Sequence, residues 1–358
     1  MKRHWQKKPL LVRAAVPGFA PLLSKAELFD LAARDEVESR VVAQSGRGWQ
    51  FRRGPFTRRA LPPMSRPGWT LLVQGVDLHV PAAHDLLAQF RFVPEARLDD
   101  LMISYATEGG GVGPHFDSYD VFLLQAHGRR RWRIGRQTDF TLRDDVPLKI
   151  LANFTPEEEH VLDPGDMLYL PPGYAHDGIA EGECQTYSIG FRSPGRAELA
   201  RELLQRLADD TSDIVGEDVY PDPGQPATAT PGALPPQLQR FARDALRAVV
   251  RDPLALDRAL GEYLTEPKSN VWFEGGGRVG KQGDARLDAR TRMMYDEHHV
   301  FVNGESWRAA GRDAALMRRL ADRRALPFAE VAGASADARA LLRSWAQAGW
   351  LHFGKARR

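Results

Sequence analysis

Two histidines and one aspartate in this chain have the residue types and the spacing of a metal-binding site. His115 and Asp117 are two residues apart after a glycine-rich run, and in an extended segment that spacing points both side chains to the same face. His176 follows a short apolar run and a Pro-Pro-Gly bend, which places it well for a third ligand. Two imidazoles and one carboxylate on one side of an octahedral ion leave three positions for other ligands. We therefore predict that His115, Asp117 and His176 bind a metal ion.

The alternative interpretation is that the His-x-Asp pair lies on the surface as a solvated polar pair. Taken alone, such a pair is more often of that kind. Three glycines precede this pair, apolar strands follow it, and a Pro-Pro-Gly-x-x-His segment stands downstream. That context favours the metal site.

A strand rich in arginine lies between Asp117 and His176 in the sequence. Trp132 and Ile134 alternate along it and are expected to face the interior, and Arg130 has the same parity. A buried arginine is costly unless it meets an anion, and a planar guanidinium suits a carboxylate. We predict that Arg130 binds the carboxylate of a ligand; the alternative is an internal salt bridge with a buried Asp or Glu.

The elements that must position these side chains fall into a β region and a helical region. Between Leu101 and Phe191 the sequence has short alternating or apolar strands split by glycines, which predicts a β-sandwich or a barrel-like jelly roll. Strands are predicted to begin at Trp69, Leu101, Asp120, Arg130, Met167 and Gln185. The first 90 residues or so are expected to support this core.

After Pro194 the pattern changes to helices. Helices are predicted from Glu198, over Leu238 to Val250, and onward to Leu264, followed by a hairpin with an Asn303-Gly304 turn and by two basic helices. Helices plus a hairpin at this size resemble a winged-helix module. We predict a catalytic domain over residues 1–196, a helical region over 197–266 and a winged-helix-like domain over 267–358.

Composition narrows the class of protein. A single cysteine, Cys184, excludes an internal disulfide and a multi-cysteine zinc or iron–sulfur site. The basic start Met1-Lys2-Arg3 is followed by an apolar stretch that Arg13 and Pro17 interrupt, so a soluble, cytoplasmic protein with no membrane segment is expected. From Trp307 onward there are 11 Lys and Arg against 4 Asp and Glu. This balance suggests an anionic partner such as RNA, although such charge more often only solvates helix faces.

Three stretches of the sequence together resemble the bacterial branch of the JmjC-type ribosomal oxygenases. They are Gly110-Gly-Val-Gly-Pro-His115-x-Asp117-x-Tyr119-Asp120-Val-Phe, Gln125-x-x-Gly128-Arg-Arg-Arg-Trp132, and Asp163-Pro-Gly-Asp166-x-Leu-Tyr-x-Pro-Pro-Gly173-x-x-His176. The close match covers about Leu101 to Phe191, and the flanking regions match in layout.

The resemblance implies an Fe(II)- and 2-oxoglutarate-dependent oxygenase that uses dioxygen and whose jelly roll is a double-stranded β-helix. It implies that Arg130 binds the distal carboxylate of 2-oxoglutarate and that the hydroxyl of Ser104 adds a second contact. It further implies a homodimer through the helical region and hydroxylation of a large-subunit ribosomal protein, most closely at an arginine β-carbon, with histidine the substrate of related members.

An arginine substrate would need carboxylate and aromatic neighbours near the metal. Tyr119, Asp120 and Asp177 stand close to the ligands in sequence and are candidates for that role. Asp120 could equally cap a turn, and Asp177 could orient His176 instead.

Two other classes of protein compete with this interpretation. A cupin-like core with these ligands also suits a zinc or manganese isomerase or hydrolase, but no fourth ligand stands close to the three, and Arg130 would then have no role. The other class is a ligand-sensing regulator that binds nucleic acid through its basic winged helix.

Overall fold

The computed structural model of the protein describes residues 1–46, 48–275 and 283–354. It divides into two compact units, Met1–Ser193 and Pro194–Arg358. The first unit is mainly β, as predicted, and the second combines helices with short strands. No helix among the described residues has both the length and the apolar character that a bilayer crossing requires.

The first unit is built from strands with two helices near its start. The strands are β1 Leu10–Val12, β2 Ser39–Ser45, β3 Gly48–Arg53, β4 Trp69–Val73, β5 Leu98–Ala106, β6 Val121–Gly135, β7 Glu158–Leu162, β8 Met167–Leu170 and β9 Ala175–Phe191. The helices are α1 Lys25–Leu31 and α2 Pro81–Ala88.

Over the described residues these strands form one antiparallel sheet in the order β1-β8-β6-β9-β5-β4-β2-β3, with β7 on the free half of β6. The two longest strands, β6 and β9, pair along almost their whole length. Side chains from β2 to β6 and from β9 line one cavity. The sheet therefore curls around that cavity, as a double-stranded β-helix does.

The two strands that the sequence predicts from Asp120 and from Arg130 are in fact one strand, β6. Its pairing with β9 shifts register on both sides of His127, which marks a bulge. Gly128 lies in the bulge with φ 58°, and a Cβ there would lie 2.1 Å from the carbonyl oxygen of Glu183. The glycine thus lets the strand bend and continue, where the sequence pattern indicated a turn.

Strand β5 separates the apolar core from the cavity. Ile103 and Tyr105 are fully buried in the main core cluster, whereas Met102 and Ser104 line the cavity. This alternation settles the parity of β5, which the sequence left open.

The second unit begins with helices and ends with a strand. The helices are α3 Arg196–Asp209, α4 Thr211–Val215, α5 Pro236–Arg251, α6 Pro253–Thr265, α7 Gly311–Arg323, α8 Phe328–Ala332 and α9 Ala336–Gln347. The strands are β10 Asp284–Leu287, β11 Met293–Tyr295, β12 His299–Val302, β13 Glu305–Arg308, β14 Ala325–Leu326 and β15 Leu351–Gly354.

The predicted hairpin is present as β12 and β13, and Asn303 and Gly304 have φ values of 50° and 89° in its turn. Such positive values at both central residues are typical of a type I′ turn. The chain does not close with two helices as predicted, because β15 follows α9 and pairs with β10. A separate core cluster, which includes Leu320, Leu342 and Trp345, stabilises this part of the unit.

Candidate metal centre and adjoining cavity

Backbone hydrogen bonds hold the two predicted histidine ligands side by side. The amide of His115 donates to the carbonyl of His176 at 3.0 Å, and the amide of His176 donates back at 2.8 Å. His176 is the second residue of β9, whereas His115 lies in the loop between β5 and β6 and joins the sheet only through this bridge. Gly111 permits the close approach of that loop, since a Cβ there would lie 2.5 Å from the carbonyl oxygen of Gly178.

Asp117 is placed by a contact between two loops. Its carbonyl accepts a hydrogen bond of 2.7 Å from the amide of Gly173, in the Pro-Pro-Gly bend before His176. One carboxylate oxygen of Asp117 lies 3.6 Å from Nε2 of His176. Each of the three residues offers one ligand atom, and these atoms all lie within 4.8 Å of one another. The structure therefore brings together the three residues that the sequence predicted as ligands.

Both imidazoles present the same nitrogen to this cluster. Nδ1 of His115 lies 2.8 Å from the carbonyl oxygen of Gly113, and Nδ1 of His176 lies 3.0 Å from that of Tyr174. Because a carbonyl only accepts, each Nδ1 carries the proton and each Nε2 keeps its lone pair. The pair is therefore prepared to bind a cation.

Burial also keeps the ring of His176 neutral. His176 is buried, and desolvation together with the neighbouring His115 lowers the pKa of its imidazole well below the usual 6.5, against the opposing effect of Asp117. A neutral imidazole is the form that binds metal. The donor set of two imidazoles and one carboxylate suits Fe(II) with three open positions.

Arg130 is buried next to this cluster, as its parity predicted. It is 5% exposed, and its Nη1 donates a hydrogen bond of 3.0 Å to Oγ of Ser104. Its Nε and Nη2 are buried and have no hydrogen-bond partner. No carboxylate of the described residues pairs with Arg130, so the alternative of an internal salt bridge is wrong. Two unpartnered donors of one guanidinium fit the two oxygens of a carboxylate.

The cavity has a volume of about 320 Å³ and extends from the metal cluster past Arg130. This size is that of a small-molecule site. It also contains polar groups that the sequence analysis missed, among them Asp100, Gln74 and Ser188. Asp100 has the same parity on β5 as Met102 and Ser104. Because alternate residues of a strand share a face, the expected position of Ser104 in the site could have indicated that Asp100 lines it too.

Asp100 is a buried carboxylate, 3% exposed. Its Oδ2 accepts hydrogen bonds from Nε2 of Gln74 at 2.7 Å and from the amide of Gly75 at 3.1 Å. These bonds stabilise the charged form and fix the orientation of the carboxylate. The wall of the cavity therefore carries an oriented carboxylate, together with the basic side chains of Arg40 and Lys149.

The three candidate substrate residues have different positions. Tyr119 lines the cavity and is 39% exposed, and desolvation and then Asp117 raise the pKa of its hydroxyl above the usual range. Asp120 does not line the cavity. It is fully buried elsewhere, where it accepts hydrogen bonds from Tyr169 at 2.6 Å and Gln6 at 3.0 Å and pairs with Arg97 at 3.1 Å.

Asp177 does not line the cavity either. It pairs with Arg133 on the neighbouring strand, and the Nδ1 of His176 is held by Tyr174 instead. The structure therefore gives Asp120 and Asp177 contacts outside the cavity, and a role of either in substrate binding stays a prediction. Asp177 follows His176 on β9, and successive residues of a strand point to opposite faces of the sheet.

A cluster of two histidines and one aspartate within a curled β-sheet, next to a cavity that contains a buried arginine, is typical of the metal-dependent, cupin-type β-core enzymes. Comparison with family models agrees: residues 85–199 match the JmjC domain, and residues 248–352 match the ROXA-like winged helix. The second match begins within α5, upstream of the boundary predicted at residue 267.

Individual proteins extend this likeness to most of the chain. The ribosomal protein uL16 3-hydroxylase of Escherichia coli is 37% identical over 276 residues, which is 76% of this chain and 72% of that protein. The X-ray structure of E. coli YcfD is 31% identical, with a TM-score of 0.86 over 99% of this chain and 96% of that one. A structure of YcfD, described as a ribosomal oxygenase in complex with cobalt and 2-oxoglutarate, has a TM-score of 0.82 at 31% identity over 98% and 96% of the two chains. The chain belongs to the bacterial JmjC-domain ribosomal oxygenases.

Proposed function

We propose that this protein is an Fe(II)- and 2-oxoglutarate-dependent oxygenase that hydroxylates the β-carbon of an arginine in a large-subunit ribosomal protein. The observation that carries the proposal is the buried guanidinium of Arg130, with two unpartnered nitrogens, in the same cavity as the three clustered ligand residues. A buried cation of this kind requires an anion. A dicarboxylate that also reaches the metal supplies one.

His115, Asp117 and His176 would hold Fe(II), which has an octahedral preference and leaves positions for a bidentate cosubstrate and dioxygen. Arg130 would bind the distal carboxylate of 2-oxoglutarate, and Ser104 would hold Arg130 in place through the bond to its Nη1. When bound, iron, 2-oxoglutarate and dioxygen supply the oxidising chemistry, with succinate and carbon dioxide as coproducts. The cobalt and 2-oxoglutarate complex of the related YcfD supports this assignment.

The chain's own residues then have the task of positioning. No side chain would need to act as a nucleophile or general base, because the bound iron and cosubstrates would supply the oxidising chemistry and the protein would hold the target carbon next to them. Trp132 lines the cavity and lies beside His176, with 5.8 Å between the ring centroids. Its ring excludes water from that side of the metal cluster.

The cavity wall favours a cationic side chain as the substrate. Asp100 supplies a buried negative charge, and Tyr119 and Met102 supply an aromatic ring and a thioether. A guanidinium can pair with the carboxylate while its flat face lies against the ring and the sulfur. A guanidinium can form a charge-assisted, bidentate pair with the carboxylate of Asp100, which a neutral imidazole cannot do, so we favour arginine over histidine.

A ribosomal protein as the substrate rests on the relative. The E. coli relative is a ribosomal protein uL16 3-hydroxylase, and position 3 of an amino acid is its β-carbon. We infer the equivalent protein of the large subunit as the substrate here.

The helical region would form a homodimer. Helix α5 carries apolar side chains on one broad face, where Leu238, Phe241 and Ala245 are three and four residues apart and Leu246 follows next to Ala245. Its Leu238, Phe241, Leu246 and Val250 are exposed. A face of this kind is typical of a helix that packs against a partner, and a second copy offers a matching face.

Tandem mass spectrometry of synthetic peptides tests the choice of substrate. Two peptides from the large-subunit protein would be incubated with enzyme, Fe(II), 2-oxoglutarate and air, one with the target arginine and one with histidine in its place. We expect one added oxygen on the arginine β-carbon and none on the histidine peptide. Hydroxylation of the histidine peptide alone would contradict the arginine assignment while leaving the oxygenase intact.

A further inference from the structure

A long segment of the first unit is rich in arginine and has no acidic residue. Residues 39–76 contain seven Arg and no Lys, Asp or Glu. Four of these arginines are exposed in the structure, and together we call them the arginine surface: Arg52, Arg53, Arg58 and Arg59. The basic residues near the C-terminus suggested an anionic partner in the sequence, whereas this segment was not predicted as a binding site.

Aromatic rings and backbone, rather than carboxylates, hold these side chains. The guanidinium of Arg58 lies over the ring of Phe29 at 4.9 Å, and that of Arg53 over Phe51 at 5.9 Å. Arg52 lies over Phe56 at 5.3 Å and donates to the carbonyl of Ala60 at 2.7 Å. Cation–π contacts fix the orientation of a guanidinium but do not neutralise its charge.

Other arginines of the same unit differ in this respect. Those that pair with a carboxylate are Arg13, Arg91, Arg97, Arg129, Arg131, Arg133, Arg143 and Arg192. None of the arginine surface forms an ion pair within the part of the chain that the structure describes. The first unit thus neutralises many of its arginines and leaves these four charges unmatched.

One member of the arginine surface, Arg53, lies on the face of β3 that lines the catalytic cavity, whereas Arg52 before it points to the opposite face. Arg53 lies directly opposite Arg40 across strands β2 and β3, and Arg40 itself lies 4.0 Å from the carboxylate of Glu38. Arg40 and Phe51 line the cavity, and Arg53 has the same parity as both. An anion bound here would lie next to a substrate in the cavity.

We propose that the arginine surface binds the phosphate backbone of RNA beside the cavity, so that the substrate protein is recognised together with RNA. The identity of the protein substrate rests on the proposed function, but RNA binding does not. Arginine alone, without lysine, suits phosphate, because its planar fork donates two parallel hydrogen bonds. A membrane surface fits less well, since Met64 is the one large apolar side chain exposed among the described residues of this segment.

The test is binding of the full-length protein to a short fluorescein-labelled single-stranded RNA of mixed sequence, followed by fluorescence anisotropy at increasing KCl. The variant carries Arg52→Gln, Arg53→Gln, Arg58→Gln and Arg59→Gln. The matched control carries four changes in exposed arginines of the second unit: Arg308→Gln, Arg312→Gln, Arg323→Gln and Arg343→Gln. Neither iron nor 2-oxoglutarate is needed, so a failure to bind RNA is distinct from a failure to hydroxylate.

Each lost phosphate contact on a single strand lowers the salt slope by about 0.7, so the variant should lose about 3 in slope and about tenfold or more in affinity at low salt. The control should bind as the wild type does. If the fourfold variant does not fold, Arg53→Gln and Arg58→Gln made singly should each lower the slope by about 0.7.

Three results would overturn the proposal. One is an unchanged slope in folded variants. Another is an equal loss in the control, which would place the RNA site on the second unit. The third is equally tight binding to polyglutamate or to phosphatidylglycerol vesicles, which would show a surface for acidic protein or membrane instead of RNA.

Discussion

Nη1 of Arg130 donates to Oγ of Ser104 at 3.0 Å, and that hydroxyl in turn donates to the carbonyl of Thr186 at 3.2 Å. The chain fixes one nitrogen of the guanidinium to the β-sheet and leaves Nε and Nη2 without partners. A cation held in this way is oriented before any ligand arrives. Preorganisation lowers the entropic cost of binding.

Replacing Arg130 with methionine should abolish tight binding of 2-oxoglutarate without loss of fold. Methionine keeps much of the volume but cannot pair with a carboxylate, and losing such a charge-assisted pair costs about 3 kcal/mol, or roughly 100-fold in Kd. Isothermal titration calorimetry with Co(II) in place of Fe(II) measures the change. The melting temperature of the ligand-free variant should not fall, because two buried nitrogens without partners are removed.

Ser104→Ala is the matched smaller change. It removes the hydroxyl that links Arg130 to the carbonyl of Thr186 but keeps the guanidinium, so we expect a loss of about 1 kcal/mol, or about fivefold in Kd. Equal affinity for 2-oxoglutarate in wild type and Arg130→Met would show that the carboxylate binds elsewhere.

Asp100→Asn should raise the KM for an arginine peptide and leave the Kd of 2-oxoglutarate unchanged. A hydrogen bond between charged groups contributes about 1.5 to 3 kcal/mol, so the expected increase is about 10- to 100-fold. Steady-state kinetics with the peptide measures it. The control is Asp177→Asn, whose carboxylate pairs with Arg133 away from the cavity; an increase in KM there as large as that of Asp100→Asn would contradict the assignment.

Asp120→Asn should lower stability rather than change substrate affinity. Asp120 is fully buried and joins Tyr169, Gln6 and Arg97, so removing its charge leaves these partners poorly matched. The expected loss is about 2 kcal/mol or more in the free energy of unfolding, measured by urea denaturation of the purified protein. A variant as stable as the wild type but with a raised KM for the peptide would instead indicate that Asp120 contacts the substrate.

Phe241→Glu on α5 should convert the proposed dimer to a monomer. The change puts a charge in the apolar face, where burial against a second copy would leave it unpaired. Multi-angle light scattering at micromolar concentration should show half the wild-type mass. Arg247→Glu lies on the opposite face of α5 and should leave the dimer intact; a wild-type protein that is already monomeric would refute the dimer.

The features that could be predicted from the sequence are those that a local residue pattern determines. Alternation of Arg130, Trp132 and Ile134 was enough to predict that Arg130 is buried, since the period of a strand is two. The Asn303-Gly304 turn was predictable from a local signal of another kind, because few residue pairs adopt its dihedral angles.

Pairing between distant residues was not predictable in this way. The bulge at His127 depends on the register of β6 against β9. Because the sequence does not show that register, it predicts two strands where the structure has β6 alone. The contact of Asp120 with Gln6 joins positions 114 residues apart, and no local pattern indicates it. Asp100 was missed because its role depends on which face of β5 meets the cavity.

Hydroxylation of a ribosomal protein is the central claim, and intact mass spectrometry tests it most directly. Ribosomal proteins from a strain that lacks this gene would be incubated with the purified enzyme, Fe(II), 2-oxoglutarate and air, with the His115→Ala variant as control. We expect a single large-subunit protein to gain the mass of one oxygen atom, and to gain nothing with the variant. Unchanged masses for all the ribosomal proteins, from an enzyme that binds 2-oxoglutarate, would contradict the claim.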